Sequence, residues 1–168
     1  IIKGITYPSC DKVVVNIIFC DNNLLLTRQT STRVGADLAR NLEIEDNGEI
    51  FLEFSSHSRT AYHNYNDVIG GIVRNINNVL CCTNRTRVEY TFEIIEGLQD
   101  KPATRDRFFF KIWLDEADKY RSFIDSTFKP LVEKNDNVAL YCITATPKSL
   151  FMKYHALNVF PLENTTSP

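Results

Sequence analysis

The sequence predicts an α/β protein built on a buried, mainly parallel sheet. Two observations predict it. Short, near-continuous apolar runs recur along the chain, as expected of strands covered on both faces. Segments with apolar residues spaced by three or four separate them, the period of helices packed on such a sheet.

In order, Leu24-Leu25-Leu26-Thr27 reads as a buried strand. Thr32 to Leu42 reads as a helix, with Val34, Leu38 and Leu42 on one face. Glu49 to Phe54 alternates and reads as a strand. Asp67 to Ile76 suits a helix with Asp67 as its N-cap. Asn78 to Cys82 is a third strand, and Thr86 to Leu98 a helix with Val88, Phe92 and Ile95 on one side. Arg107 to Leu114 (RFFFKIWL) is a fourth strand. Tyr120 to Glu133 is mostly helical, with Pro130 expected to break or kink it. Val138 to Ile143 is a fifth strand, and Pro147 opens a helix running to His155.

The chain has 168 residues, which suits one domain. Residues 1–162 are read as that domain and the polar Glu163 to Pro168 as a linker or truncated tail. The first residue is Ile, which suggests a fragment or a processed chain. Apolar residues at 43% and charged residues at 24% exclude wholesale disorder. No apolar run approaches a membrane span, and no signal peptide is recognisable, so no membrane partner is expected. A formal charge of −2 argues neither for nor against nucleic acid. Five irregularly spaced cysteines without a CxxC pair make zinc unlikely and suggest reduced thiols in an intracellular compartment, cytoplasmic or nuclear.

In parallel sheets ligands bind beyond the carboxyl ends of the strands, so chemistry is sought just after each apolar run. After the fourth strand comes Asp115-Glu116-Ala117-Asp118. Adjacent acids there can hold a divalent cation and position a water, although alone they also read as a solvated turn. After the fifth comes Thr144-Ala145-Thr146, two hydroxyls in a small-residue turn; taken alone, these suit an N-cap equally well.

The two segments together resemble motifs II and III of superfamily 2 (DEAD-like) helicases, the ATP-driven nucleic-acid motors. The resemblance covers nearly the whole chain and maps onto the first of that family's two RecA-like lobes, a three-layer P-loop NTPase fold. It implies that Asp115 coordinates Mg²⁺ and Glu116 orients the hydrolytic water. It implies that Asp118, Thr144 and Thr146 couple the ATP site to the nucleic-acid face. Thr27, Arg28 and Gln29 resemble the family's motif Ia. Thr83, Asn84 and Arg87 resemble a later backbone-contact loop, and Ser55 follows the strand between. The implied partner is single-stranded or duplex nucleic acid, gripped through its phosphates without base specificity. Leu-Asp-Glu-Ala-Asp-Lys and Thr-Arg-Gln are similar to helicases of large DNA viruses, including the origin-binding type, which implies viral replication as the setting.

The family's phosphate loop reads GxxxxGK[ST]. The segment that would supply it runs from Ile1 to Val13, with Gly4, Thr6, Ser9 and Lys12 as phosphate ligands and Val13 to Cys20 as the helix behind. The match is poor. Gly4 and Lys12 are eight positions apart rather than six, the second Gly is absent, and Val13 replaces the Mg²⁺-binding hydroxyl. Pro8 removes an N–H, and Asp11 puts negative charge where phosphates belong. Two readings follow: the loop is degenerate and ATP binding is weak or lost, or the true phosphate loop is absent from this chain or the segment has been altered; impaired ATP binding is expected of this chain. The family's second lobe, with its arginine finger, is also missing, so the chain alone is expected to be nearly inactive as an ATP hydrolase. The alternative reading is a catalytically inactive RecA-like scaffold or nucleic-acid-binding module. His57, His63 and His155 form no catalytic arrangement by spacing, and Trp113 reads most simply as a core residue.

Overall fold

The computed structural model describes residues 11–21, 29, 32–33, 52–54, 64–146 and 148–154. The expected strand Leu24–Thr27, most of the helix from Thr32, and the histidines fall outside these residues. Thr32 and Arg33 are helical, and so is Gln29, which lies before the expected start of that helix.

Five described strands form one sheet: β1 (Val13–Cys20), β2 (Leu52–Phe54), β3 (Asn78–Cys82), β4 (Phe108–Leu114) and β5 (Val138–Cys142). Their order is β2-β3-β1-β4-β5, and every pairing is parallel. The helices are α1 (Tyr65–Val73), α2 (Arg85–Gln99), α3 (Pro102–Arg105), α4 (Arg121–Phe123), α5 (Lys129–Lys134) and α6 (Lys148–Phe151), with a π turn at Ile124–Phe128 joining α4 to α5. The fold is thus mixed α/β, a parallel sheet flanked by helices. Among the described residues no helix is long and apolar enough to cross a membrane.

The first correction concerns Val13–Cys20. It is not a helix but the central strand, paired with β3 on one side and β4 on the other. The residues explain why. VVVNIIFC is rich in β-branched side chains, which lose rotamer freedom in a helix and pack well on a pleated surface.

Register assigns the two faces. Val15, Ile17 and Phe19 of β1 line up with Phe110, Ile112 and Leu114 of β4. Across the other edge Ile17 and Phe19 meet Val79 and Cys81. These residues form one core with Val68 and Ile72 of α1, Val88, Ile94, Ile95 and Leu98 of α2, and Ile124, Phe128 and Leu131 of the α4–α5 run. Phe19 sits at its centre, fully buried, with its ring 5.1 Å from that of Phe128.

The opposite face is more polar. Asn16 Nδ2 donates to Asn78 Oδ1 at 3.0 Å, and Trp113 Nε1 donates to Asn16 Oδ1 at 3.1 Å. Trp113 stacks on Tyr141 with centroids 4.4 Å apart. Trp113 is therefore not a core residue but half-buried, part of a polar ladder running across three strands.

Two helix details differ from expectation. The N-cap of α1 is Asn64, whose side chain accepts from the Asp67 N–H at 2.9 Å; Asp67 is the acid in the first turn. Both types cap well, and three positions of sequence do not separate them. Pro130 does not break its helix. The N–H of Lys129 reaches back five residues to the Ile124 carbonyl, so the π turn absorbs the disruption just before the proline, and α5 continues to Lys134.

Candidate functional site

The carboxyl ends of all five strands lie on one edge of the sheet. Beyond β1 the chain leaves toward β2, and beyond β4 it leaves the other way, toward β5. The crevice between the ends of β1 and β4 is therefore the switch point where open α/β sheets take ligands. Asp21 and Asp115 stand there, each the first residue after its strand.

The turn after β4 is laced to both neighbours. The Asp115 N–H donates to the Phe19 carbonyl of β1 at 2.9 Å. The Ala117 N–H donates to the Ile143 carbonyl at 3.0 Å, and the Ile143 N–H to the Leu114 carbonyl at 2.9 Å. Ala117 is fully buried, so the turn is pinned from below while its acids face outward.

Asp115 Oδ1 accepts from the Glu116 N–H at 2.9 Å. Burial pushes the Asp115 carboxyl above its ordinary range; Lys119 opposes the shift and Asp21 adds to it. Such a carboxylate gains from a cation. Glu116 has a left-handed backbone, φ 49°, which is uncommon away from Gly, Asn and Asp and marks a strained turn. Its Oε2 is shielded from solvent and accepts no directional hydrogen bond; the Lys119 ammonium is its ion partner. Tyr120 closes the crevice by donating from Oη to Asp21 Oδ1 at 3.1 Å.

Asp118 joins this turn to the end of β5. Thr144 Oγ1 donates to its Oδ1 at 2.6 Å and Thr146 Oγ1 to its Oδ2 at 2.8 Å. Thr144 Oγ1 also accepts from the Thr146 N–H at 3.0 Å, which fixes the Thr144-Ala145-Thr146 turn. The two hydroxyls hold the Asp118 carboxyl below its usual range. The sequence pointed to these three residues as a unit, and the fold brings them together.

The other expected residues are placed differently. Lys12 precedes β1 and stands at the amino-terminal edge of the sheet. Its Nζ donates to Asn137 Oδ1 at 2.7 Å and to the Arg105 carbonyl at 3.3 Å. The seven steps from Lys12 to Phe19, the neighbour of Leu114, span about 23 Å of extended chain. Lys12 is thus on the far edge from Asp115 and is not brought to it. Gly4, Thr6, Ser9, Thr27, Arg28 and Ser55 lie outside the described residues, and Gln29 is exposed and helical.

Thr83 is buried, and its hydroxyl donates to the Cys20 carbonyl at 2.5 Å. It ties the end of β3 to that of β1. Asn84 is the N-cap of α2, accepting from the Arg87 N–H at 3.0 Å. The Arg87 guanidinium lies 4.5 Å over the Phe54 ring. These residues shape the β3–α2 corner beside the crevice. Sequence reading missed Asp21 and Tyr120. The one available signal is that Asp21 directly follows an apolar run, a signal lost if that run is read as a helix rather than the strand it is.

Cys20, Cys81, Cys82 and Cys142 carry free thiols. Burial pushes the Cys142 thiol up to about 11. Among the described residues no group of His, Cys, Asp and Glu forms a ready metal cluster.

Compared with known proteins, the chain matches no family model, no curated protein and no solved structure.

Proposed function

We propose that this chain is the first RecA-like lobe of a superfamily 2 helicase or translocase, coupling ATP hydrolysis to movement along nucleic acid. The observation that carries the reading is Asp118, held by Thr144 and Thr146 one turn away from the Asp115–Glu116 pair. Acids at one strand end, tied through hydroxyls to the next, suit a site whose occupancy is sensed by a neighbouring loop.

The Asp115 carboxylate beyond the end of β4, with Asp21 beyond the neighbouring strand, is hard oxygen of the kind Mg²⁺ prefers. Asp115 would hold it, and the bound ion would offset charge on the transferred phosphoryl group. Glu116 would orient a water once its carboxylate leaves Lys119. Asp118 keeps its proton off through its two hydroxyl donors, and so stays an acceptor for the Thr144–Thr146 turn.

Phosphate binding by Lys12 does not fit, because Lys12 belongs to the opposite edge of the sheet. A phosphate-binding element for this site would have to come from outside the described residues. That observation favours the second reading, a RecA-like scaffold or nucleic-acid-binding module without turnover.

Calorimetry with Mg·ATP and Mg·ADP, with Asp115→Ala as the control, separates the two. Binding that is lost in Asp115→Ala supports the motor lobe. No heat at millimolar nucleotide overturns it in favour of the inactive module.

A further inference from the structure

Of the four described cysteines, three lie where two neighbouring strands end. Cys20 is the last residue of β1, and Cys81 and Cys82 are the last two of β3. All three are buried thiols. No step of the function proposed above uses them.

Register selects which two can meet. Cys20 is paired directly with Cys82 across the parallel β1–β3 ladder. Adjacent strands lie about 4.8 Å apart, inside the roughly 4.4–6.8 Å between Cα atoms that a disulfide spans. Side chains alternate along a strand, so Phe19 and Cys81 face the core together, while Cys20 and Cys82 share the opposite face. The Cys20 thiol already leans across the gap. Its Sγ donates to the Cys81 carbonyl at 3.4 Å, the group bonded to the Cys82 amide. Cys81 is turned away: its Sγ lies 3.7 Å from Thr91 Oγ1 of α2, and burial pushes its thiol well above the ordinary range. Cys142 ends β5, two strands from Cys20 and so roughly 10 Å from it, beyond the reach of a bridge.

The two strand ends carry residues of the crevice. Asp21 follows Cys20, and Thr83 follows Cys82. The Thr83 N–H and hydroxyl both donate to the Cys20 carbonyl, at 2.9 and 2.5 Å. A covalent bond one residue earlier fixes the spacing that these hydrogen bonds now hold. Intracellular disulfides are mostly transient and redox-sensing, which suits thiols that rest reduced.

We propose that Cys20 and Cys82 are a redox-sensitive pair, which a hydroperoxide converts into a disulfide that clamps the ends of β1 and β3 beside the crevice. One thiolate attacks the peroxide and breaks its O–O bond. That sulfur becomes a sulfenic acid, and the departing oxygen takes the thiol's proton and leaves as an alcohol, or as water from hydrogen peroxide. The second thiolate attacks the sulfenic sulfur. The S–S bond forms, and hydroxide leaves with the second thiol's proton as water. The two thiols lose two electrons and the peroxide gains them. A small dithiol reverses the change by exchange.

The test treats the whole chain with hydrogen peroxide, quenches it, unfolds it in an alkylating agent and maps its peptides by mass spectrometry. A loss of about 2 Da, with Cys20 joined to Cys82 within one chain, is expected, and dithiothreitol should restore the mass. Cys81→Ala should form the same bond, and Cys82→Ala should leave Cys20 unbridged; the bond mapped in the parent needs neither variant to fold. A bond to Cys81, a bond between two chains, oxidation that stops at sulfinic acid, or unchanged thiols overturns the proposal. Hydrogen exchange reads the clamp. The Thr83 amide is expected to exchange about tenfold more slowly after oxidation, because it is bonded to the Cys20 carbonyl. Unchanged or faster exchange overturns the clamp even where the bond forms.

Discussion

Thr144 donates its hydroxyl proton to Asp118 at 2.6 Å across 26 residues of chain, locking the end of β5 to the turn after β4. That bond, with its partner from Thr146, holds the Asp118 carboxyl below its usual range. Thr144→Val keeps the shape and removes the donor. The Asp118 titration, followed by carboxyl carbon NMR, is expected to move up toward the ordinary value. A carboxylate whose folded value is depressed stabilises the fold above the unfolded value and loses that stabilisation as pH falls through the folded one. The stability gap between parent and variant should therefore shrink in acid. An unchanged Asp118 titration would show that the hydroxyls do not set it.

Asp115 behaves in the opposite sense. Burial raises its carboxyl, so its ionised form costs stability once pH passes its unfolded value, and the full cost is present above its folded value. Asp115→Asn retains an oxygen to accept from the Glu116 N–H and removes the charge. At neutral pH this variant should melt no lower than the parent, and any gain should close below the ordinary carboxylate range. A lower melting temperature at neutral pH would count against the burial argument.

Phe19 tests the placement of β1. As the fully buried centre of a middle strand, Phe19→Ala is expected to cost about 3–5 kcal/mol in urea unfolding. A surface helix over the same residues would lose far less. A cost below about 1 kcal/mol would refute the central strand.

Lys12 separates the two edges of the sheet. Lys12→Ala removes bonds to Asn137 and the Arg105 carbonyl, and should cost about 0.5–1.5 kcal/mol of stability. Whatever Mg·nucleotide affinity the chain has should be the same in this variant. A large loss of affinity with stability intact would return Lys12 to the phosphate site.

The strands β3, β4 and β5 were legible because each is a short apolar run bounded by polar turns, and their observed bounds lie within one or two residues of those expected. The grouping of Asp118, Thr144 and Thr146 was legible only through resemblance, since a β-α-β crossover separates them and local periodicity carries no information across it. The misreading of Val13–Cys20 arose where resemblance overrode residue chemistry: three consecutive valines and two isoleucines favour a pleated strand, whatever a neighbouring motif implies. Tyr120 was invisible as a partner of Asp21 because a long-range hydrogen bond leaves no trace in spacing. The π turn followed from Pro130 only in outline; a disruption was predictable, its absorption by a widened turn was not.

Asp21, Thr83, Asp115 and Thr144 reach the crevice from the ends of four different strands, and their order in the sheet is not their order in the chain. No contiguous peptide contains the crevice, and no hairpin can assemble part of it early. β1 must wait for β3 and β4, made some 60 and 90 residues later, before its own edges are filled, and such distant pairings are slow to form. The crevice thus exists only once these distant pairings are made, and any ligand specific for it reports that they have formed.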